Sequence, residues 1–323
     1  MIGFLKALAS LKLTLVGLIL LGAASIAIYK LEHDATPWLA APLLLLGLNL
    51  IAAVATNGVF RRNTPLLVFH LALITIVLLA AAGRLTYLKG GAEVTEGEAF
   101  SGLKHSETGP LHPLRIDRVQ FINEGMDIDY TPGPVRVSTV SRVRWLDERG
   151  IERTGTAHDN TPLVVWGYHF TVTANKGFAP VLQWQPTNGE PVVGALHLPS
   201  YPTQAEAQTA TWRPGTLKDD IWMMLSFKEV LIPADRASRF RLPDDRTLVV
   251  RHGDGRWELQ PGERVNLPGG VLQYQELRTW MGYQVYYDWT VPWLLAASVI
   301  AVLSLAAYFW RKYASTPWNA DNR

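Results

Sequence analysis

"NTPLLVFHLALITIVLLAAAG", residues 63 to 83, decides the fold class. From Leu66 to Gly83 almost every side chain is apolar. A helix needs ~20 such residues to cross about 30 Å of hydrocarbon at ~1.5 Å per residue. The stretch therefore reads as a membrane span. Yet His70 stands inside it. A titratable ring is costly in hydrocarbon, and residues of this kind usually face a protein interior with a partner.

Working outward, three more stretches read as spans by length and apolarity: Leu13 to Tyr29, Trp38 to Thr56 and Val291 to Trp310. The first resembles a signal peptide in length. It lacks a persuasive small-residue cleavage site, and a second span follows after a short loop, so it is read as retained. Four spans divide the 323 residues into a three-helix region (1–83), a large polar region (84–290) and a last helix with its tail (291–323).

Basic residues beside the spans set an expected orientation. Lys6 and Lys12 precede the first span, Arg61 and Arg62 lie between the second and third, and Arg311 and Lys312 follow the fourth. If the helices alternate, all three clusters share one side, expected to be the cytoplasm. The loop "KLEHDATP" (30–37) and the polar region then lie outside. Residues 84–290 carry 22 Lys and Arg against 25 Asp and Glu, a charge of −3, while the rest of the chain is +5. The positive excess belongs to membrane topology. No basic run with interleaved aromatics suggests a nucleic-acid partner.

There is no cysteine. An outer region without disulfides must rest on its core. The chain itself cannot exchange thiols, hold an iron–sulfur cluster or offer a thiolate to a metal.

Within the outer region, alternation with a period of two dominates. "LRIDRVQFI" (114–122) reads as a strand whose phase shifts at a bulge or bend. "VRVSTVSRVRW" (135–145) puts Val135, Val137, Val143 and Trp145 on one face. "LVVWGYHFTVTA" (163–174), "RTLVVRH" (246–252) and "YQVYYDW" (283–289) are further strands, and "HGDGRW" (252–257) and "LPGG" (267–270) are hairpin turns. "TQAEAQTATWRP" (203–214) looks like a loop or short helix, and "LKDDIWMMLSF" (217–227) fits either helix or strand. Short strands with Gly and Pro turns predict an antiparallel all-β sandwich or open barrel.

No catalytic constellation appears: no GxSxG, HExxH, CxxC or P-loop. His105 and His112 could share a metal, but no third ligand stands at a recognised spacing, and solvated loop residues are the plainer reading. His158 reads as a turn residue and His169 as a half-buried strand histidine with a backbone partner. The adjacent Asp219 and Asp220 diverge on a strand and do not form a helix-face pair. Trp38, Trp289, Trp293 and Trp310 flank spans, where aromatic belts sit.

His70 remains, about 7 to 8 Å along the helix from Pro65. In the packing reading its ring bonds a neighbouring helix, through Asn49 or a backbone carbonyl. In the functional reading neutral imidazole ligates a metal or haem iron, or relays protons. One histidine cannot make a bis-histidine haem site, so a second ligand would come from another polypeptide.

Four patches resemble the ResB (CcsB) family of cytochrome c biogenesis proteins: "FLKALASLKLTLVGLILLGAASIAI" (4–28), "TPLLVFHLALITIVLLAAAGRL" (64–85), "EVTEGEAF" (93–100) and "MGYQVYYDWTVPWLLAASVIAVLSLAAYFW" (281–310). The layout resembles it too, with three spans, a β-rich outer domain and a last span. The chain departs in a smaller outer domain and in having no cysteine.

The resemblance implies a multi-pass protein of the bacterial cytoplasmic membrane, with cytoplasmic termini and a periplasmic or otherwise extracytoplasmic large domain. It implies a CcsA/ResC-type tryptophan-rich membrane partner and apocytochrome c as client. It also implies a share in moving haem b across the bilayer, with His70 an axial ligand and Arg61 and Arg62 possible contacts for the propionates. The chain would then be a subunit of a haem lyase complex without a complete active site of its own. The alternative is a structural anchor that binds no haem.

Overall fold

The computed structural model describes residues 2–31, 36–215, 217 and 219–314. They fall into two compact units: residues 1–89, 107–113 and 287–323 form one, and residues 90–106 and 114–286 the other. The loop expected outside, "KLEHDATP", lies largely beyond the described residues, which omit 32–35.

The first unit is helical. Its helices are α1 (Ile2–Leu8), α2 (Leu11–Leu31), α3 (Ala40–Thr56), α4 (Gly58–Arg62), α5 (Thr64–Thr86) and α6 (Val291–Tyr313). Three of them, α2, α5 and α6, are long and apolar enough to cross a membrane, and α3 is a shorter apolar helix. The second expected span is thus cut back by a 3-10 turn over Thr36–Leu39. The loop expected between the second and third spans holds the short helix α4, started by Asn57, whose side chain accepts from the Val59 N–H at 3.0 Å.

Close approach in this unit depends on glycine. A Cβ at Gly17 would lie 2.7 Å from Leu46, and one at Gly47 would lie 3.1 Å from Leu78. These two positions let α3 seat against α2 and α5. Ser10 starts α2, its hydroxyl accepting from the Lys12 N–H. The break before it takes the Leu8 carbonyl out of the helical ladder, while the Ser10 carbonyl still accepts from the Leu13 and Thr14 N–H groups. Asn49 of α3, 4% exposed, answers that need. Its Nδ2 donates to the Leu8 carbonyl at 2.6 Å and the Ser10 carbonyl at 3.1 Å, and its Oδ1 accepts from Thr14 at 2.7 Å. At the other end of α5, the Gly109 N–H donates to Tyr87 O and the Leu111 N–H to Leu85 O.

The second unit is built on antiparallel sheets. Its strands run β1 (Leu88–Thr95), β2 (His105–Thr108), β3 (Phe121–Tyr130), β4 (Arg136–Leu146) and β5 (Glu152–His158). Then come β6 (Leu163–Val165), β7 (Tyr168–Pro186), β8 (Val192–Ala195), β9 (Thr209–Trp212) and β10 (Ile221–Ser226). The last are β11 (Ser238–Arg239), β12 (Thr247–His252), β13 (Gly255–Leu259), β14 (Arg264–Leu267) and β15 (Gly270–Tyr287). One sheet has the order β2-β1-β15-β7-β6, with β14 on β15 and β8 on β7. A second runs β13-β12-β10-β9 and a third β11-β3-β4-β5. Three sheets stand where the alternation predicted a simple sandwich or barrel.

The expected hairpins form at 252–255 and 267–270. The ambiguous "IWMMLS" is strand β10. The stretch 203–214 holds both a 3-10 turn and the edge strand β9. "LRIDRVQFI" is not one bulged strand: Ile116–Arg118 makes a 3-10 turn, and β3 begins only at Phe121. Along β4 the buried residues are Thr139, Ser141 and Val143, while Val137 on the same face is exposed.

The long partners β7 and β15 pair from Tyr286↔His169 to Gly270↔Pro186, with register shifts near Tyr274 and Met281 that bend the ribbon. Phe100, Phe121, Phe170 and Tyr283 meet as one aromatic cluster. Phe178, Tyr201, Phe227 and Phe240 make another. The two-residue turn between β6 and β7 has Trp166 at φ 53° and Gly167 at φ 79°. Hairpin turns of this type need positive φ at both positions. For tryptophan that conformation costs about 1–2 kcal/mol.

Candidate functional site

His70 lies in the second turn of α5, which opens with Pro65 in its first turn. Its Nδ1 is 2.7 Å from the Leu66 carbonyl oxygen, one turn back. A carbonyl can only accept, so in the neutral ring the proton sits on Nδ1 and the lone pair is on Nε2. The ring is half-buried. It meets Phe60 of α4 at 4.4 Å and Phe69 edge-on at 5.2 Å. Asn57 positions α4, α4 delivers Phe60, and Phe60 covers the imidazole.

Asn49 is not its partner, because that amide is taken up with Leu8, Ser10 and Thr14. The bond that His70 makes is to its own helix. Arg62 is exposed at the end of α4, and the side chain of Arg61 lies outside the described residues.

An apolar groove of about 590 Å³ runs between α5 and α6. Val68, Ala72, Thr75 and Leu79 line one wall, and Trp289, Trp293 and Ala297 the other. At ~100° per residue, position 70 points roughly opposite positions 68 and 72. His70 therefore stands on the far side of α5 from this groove. Trp289 donates its indole N–H to Thr86 at 3.0 Å.

The other histidines have separate settings. His112 is buried, with Nδ1 2.8 Å from the Thr86 carbonyl and its ring edge-on to Tyr287. It is a structural residue of the helical unit and not the solvated loop residue expected. His105 is exposed and belongs to the β unit, its ring lying over Gly91. No group of three metal-ligating side chains occurs among the described residues. His169 is exposed, contrary to the half-buried expectation. His158 bonds the Thr156 hydroxyl at 2.9 Å.

His197 was not singled out in the sequence. It stacks on Trp280 at 5.1 Å, donates from Nδ1 to Glu93 at 2.9 Å and meets the Thr95 hydroxyl through Nε2. Lys104 also approaches Glu93, at 3.5 Å. The bond from His197 leads in holding the Glu93 carboxyl below its usual range, against a desolvation that raises it, with the charges of His197 and Lys104 helping. Glu93 and His197 are 104 residues apart, and no local pattern could have joined them.

Lys176 is also buried, 3% exposed. Its ammonium donates to the Ala174 carbonyl at 3.1 Å and lies over the Tyr130 ring. Glu93 and His197 line a surface pocket of about 400 Å³ with Asn175, Ser200 and Trp280, whereas Lys176 is held by its own backbone contact and the Tyr130 ring.

Apolar helices long enough to cross a membrane, with His70 on one of them, joined to a large antiparallel β unit, define a membrane protein of mixed architecture. The ResB-like family model matches residues 48–313, and the chain belongs to that family. Membership implies a role in cytochrome c biogenesis. No curated protein matches the chain.

Proposed function

We propose that this protein is a cytochrome c assembly subunit in which His70 receives haem b as cargo, with a tryptophan-rich CcsA/ResC-type partner supplying the opposite ligand. The observation that carries the reading is the His70–Leu66 hydrogen bond. Metal-ligating histidines commonly donate their second ring N–H to a carbonyl, which fixes the tautomer and leaves the other nitrogen free to bind. Here Nδ1 has that donor role, and Nε2 keeps the lone pair. Phe60 and Phe69 give an apolar, aromatic flank suited to a porphyrin face.

The packing-only reading gains less from the same geometry. A polar residue that pins helices together bonds across them, as Asn49 does. Among the described residues, the hydrogen bond of His70 lies within α5.

Under this proposal α2, α3, α5 and α6 all cross the bilayer, and the basic clusters put His70 near the cytoplasmic face. Arg62, exposed near the start of α5, is placed to meet a propionate, and Arg61 is its sequence neighbour. The division 1–83, 84–290 and 291–323 then separates membrane from extracytoplasmic segments, and the outer unit positions apocytochrome c. Haem, when bound, supplies an iron whose two axial positions call for two nitrogen donors; this chain offers one.

The test is haem content per complex after co-expression with the partner. His70→Gly removes the ligand and leaves a space the size of imidazole, at a helix cost of about 1 kcal/mol. Occupancy should fall and the haem spectrum change, and added imidazole should restore both in part. Unchanged haem and spectrum would remove His70 as a ligand and leave the anchor reading.

A further inference from the structure

We propose that the β6–β7 turn and the loop 114–118 form a lipid-docking surface, with Leu114, Val164 and Trp166 in the interfacial layer of the bilayer and Arg115 and Arg118 on lipid phosphates. The loop and the turn are one structural piece. The Arg115 N–H donates to the Tyr168 hydroxyl at 3.2 Å, just past the turn. The Arg118 guanidinium lies over the Trp166 ring at 5.3 Å. Leu114 is 76% exposed and Val164 49%.

Three features separate this patch from ordinary exposed apolar side chains. Trp166, half-buried beneath Arg118, holds a positive φ that asparagine or glycine would adopt with less strain, so a tryptophan stands in this turn at a conformational cost. Both arginines are exposed, and neither pairs with a carboxylate among the described residues. The one acid in the loop, Asp117, is itself exposed between them. Apolar side chains flanked by basic ones, with a tryptophan between, are the composition of segments that lie about 5–10 Å into the headgroup boundary.

Chain geometry names the occupant. Leu111, 65% exposed, donates its N–H to the Leu85 carbonyl in the last turn of α5. With α5 crossing the bilayer as proposed above, Leu111 stands beside the end of that helix. Leu114 follows three residues later and so lies within ~11 Å of Leu111 at ~3.8 Å per residue. The nearest large apolar phase is lipid. Guanidinium groups match phosphate oxygens in paired hydrogen bonds. The proposal requires that α5 cross the membrane; it is independent of what His70 binds.

The cysteine-free chain permits a direct test. Leu114→Cys, Val164→Cys and Asp254→Cys, each in the full-length protein, are labelled with an environment-sensitive fluorophore. Asp254 is an exposed control on the turn between β12 and β13. The variants are placed in nanodiscs of phosphatidylcholine and phosphatidylglycerol and titrated with aqueous iodide. Parallel samples carry lipids bearing a doxyl quencher near the headgroup. Labels at 114 and 164 should be quenched by the doxyl lipid and be severalfold less sensitive to iodide than the label at 254. Equal iodide quenching at all three, without doxyl quenching, would place the patch in water and overturn the proposal. Shielding from iodide without doxyl quenching would mean a protein surface covers it and would overturn it equally. Adding Arg115→Glu and Arg118→Glu to Leu114→Cys should restore iodide access at 114. Unchanged shielding would overturn the phosphate contacts.

Discussion

The two units solve opposite problems with the same apolar residues. In the β unit the large side chains are spent inward: Phe178, Leu182, Tyr168, Phe170 and Met281 have no measurable exposure. In the helical unit most of the apolar surface faces outward, and only 6%, 17% and 11% of the apolar windows of α2, α5 and α6 are buried. One unit makes its own interior. The other borrows it from lipid or from other helices, and its few internal ties are polar ones such as Asn49. Hydrophobic sequence therefore signals a core in one place and a solvent-facing surface in the other.

The sharpest way to break this contrast is a matched pair of truncations. Phe178→Ala, removing a ring packed among Tyr201, Phe227 and Phe240, should destabilise the β unit by about 3–5 kcal/mol. Leu295→Ala on α6, at a site 68% exposed, should change stability in lipid by less than about 0.5 kcal/mol. Thermal unfolding of both variants in nanodiscs tests the pair. A large loss from Leu295→Ala would show that the outward face of α6 is packed against protein.

A second prediction concerns charge in the self-made core. Burial, and then the nearby charge of Arg136, push the Lys176 ammonium from its ordinary value of 10.5 to about 8, while Asp159 pulls the other way. Between those two pH values the unfolded chain binds more protons than the folded one, so stability rises with pH. Below about 8 both states are charged and the penalty is fully present. Lys176→Met should raise the melting temperature at pH 7 and flatten the rise between pH 8 and 10.5. An unaltered pH profile would mean that the amine is solvated in the folded state.

The smallest expected loss from a buried side chain lies in the helical unit. Asn49→Ala deletes the ties to Leu8, Ser10 and Thr14 and should cost about 0.6–2 kcal/mol, since lipid-exposed states find partial substitutes. Detergent-dependent melting of the helical unit measures it. A loss as large as that of Phe178→Ala would put the two units on equal footing and end the contrast.

Local pattern carried the three long apolar helices and the hairpins at 252–255 and 267–270, because each is fixed by neighbours in the chain. Lengths and partners were less legible. The ribbon of β7 with β15 joins residues 168–186 to 270–287, a pairing that period-two alternation cannot specify. Helix α4 and its Phe60 were hidden because five residues give too little periodicity to read. The setting of His70 was only half visible. Its solitude in an apolar run could be seen, but Leu66 as the acceptor depended on the ring's rotamer.

The amide of Asn49 also sets an order of assembly. The Leu8 carbonyl emerges from the ribosome 41 residues ahead of the side chain that satisfies it. At synthesis rates of ~5–20 residues per second that interval is about 2–8 s. For that time the carbonyl at the end of α1 lacks the amide that satisfies it. Until then water supplies the missing donor. The first two helices are thus completed by the third, and the pause between them is written into the distance from Leu8 to Asn49.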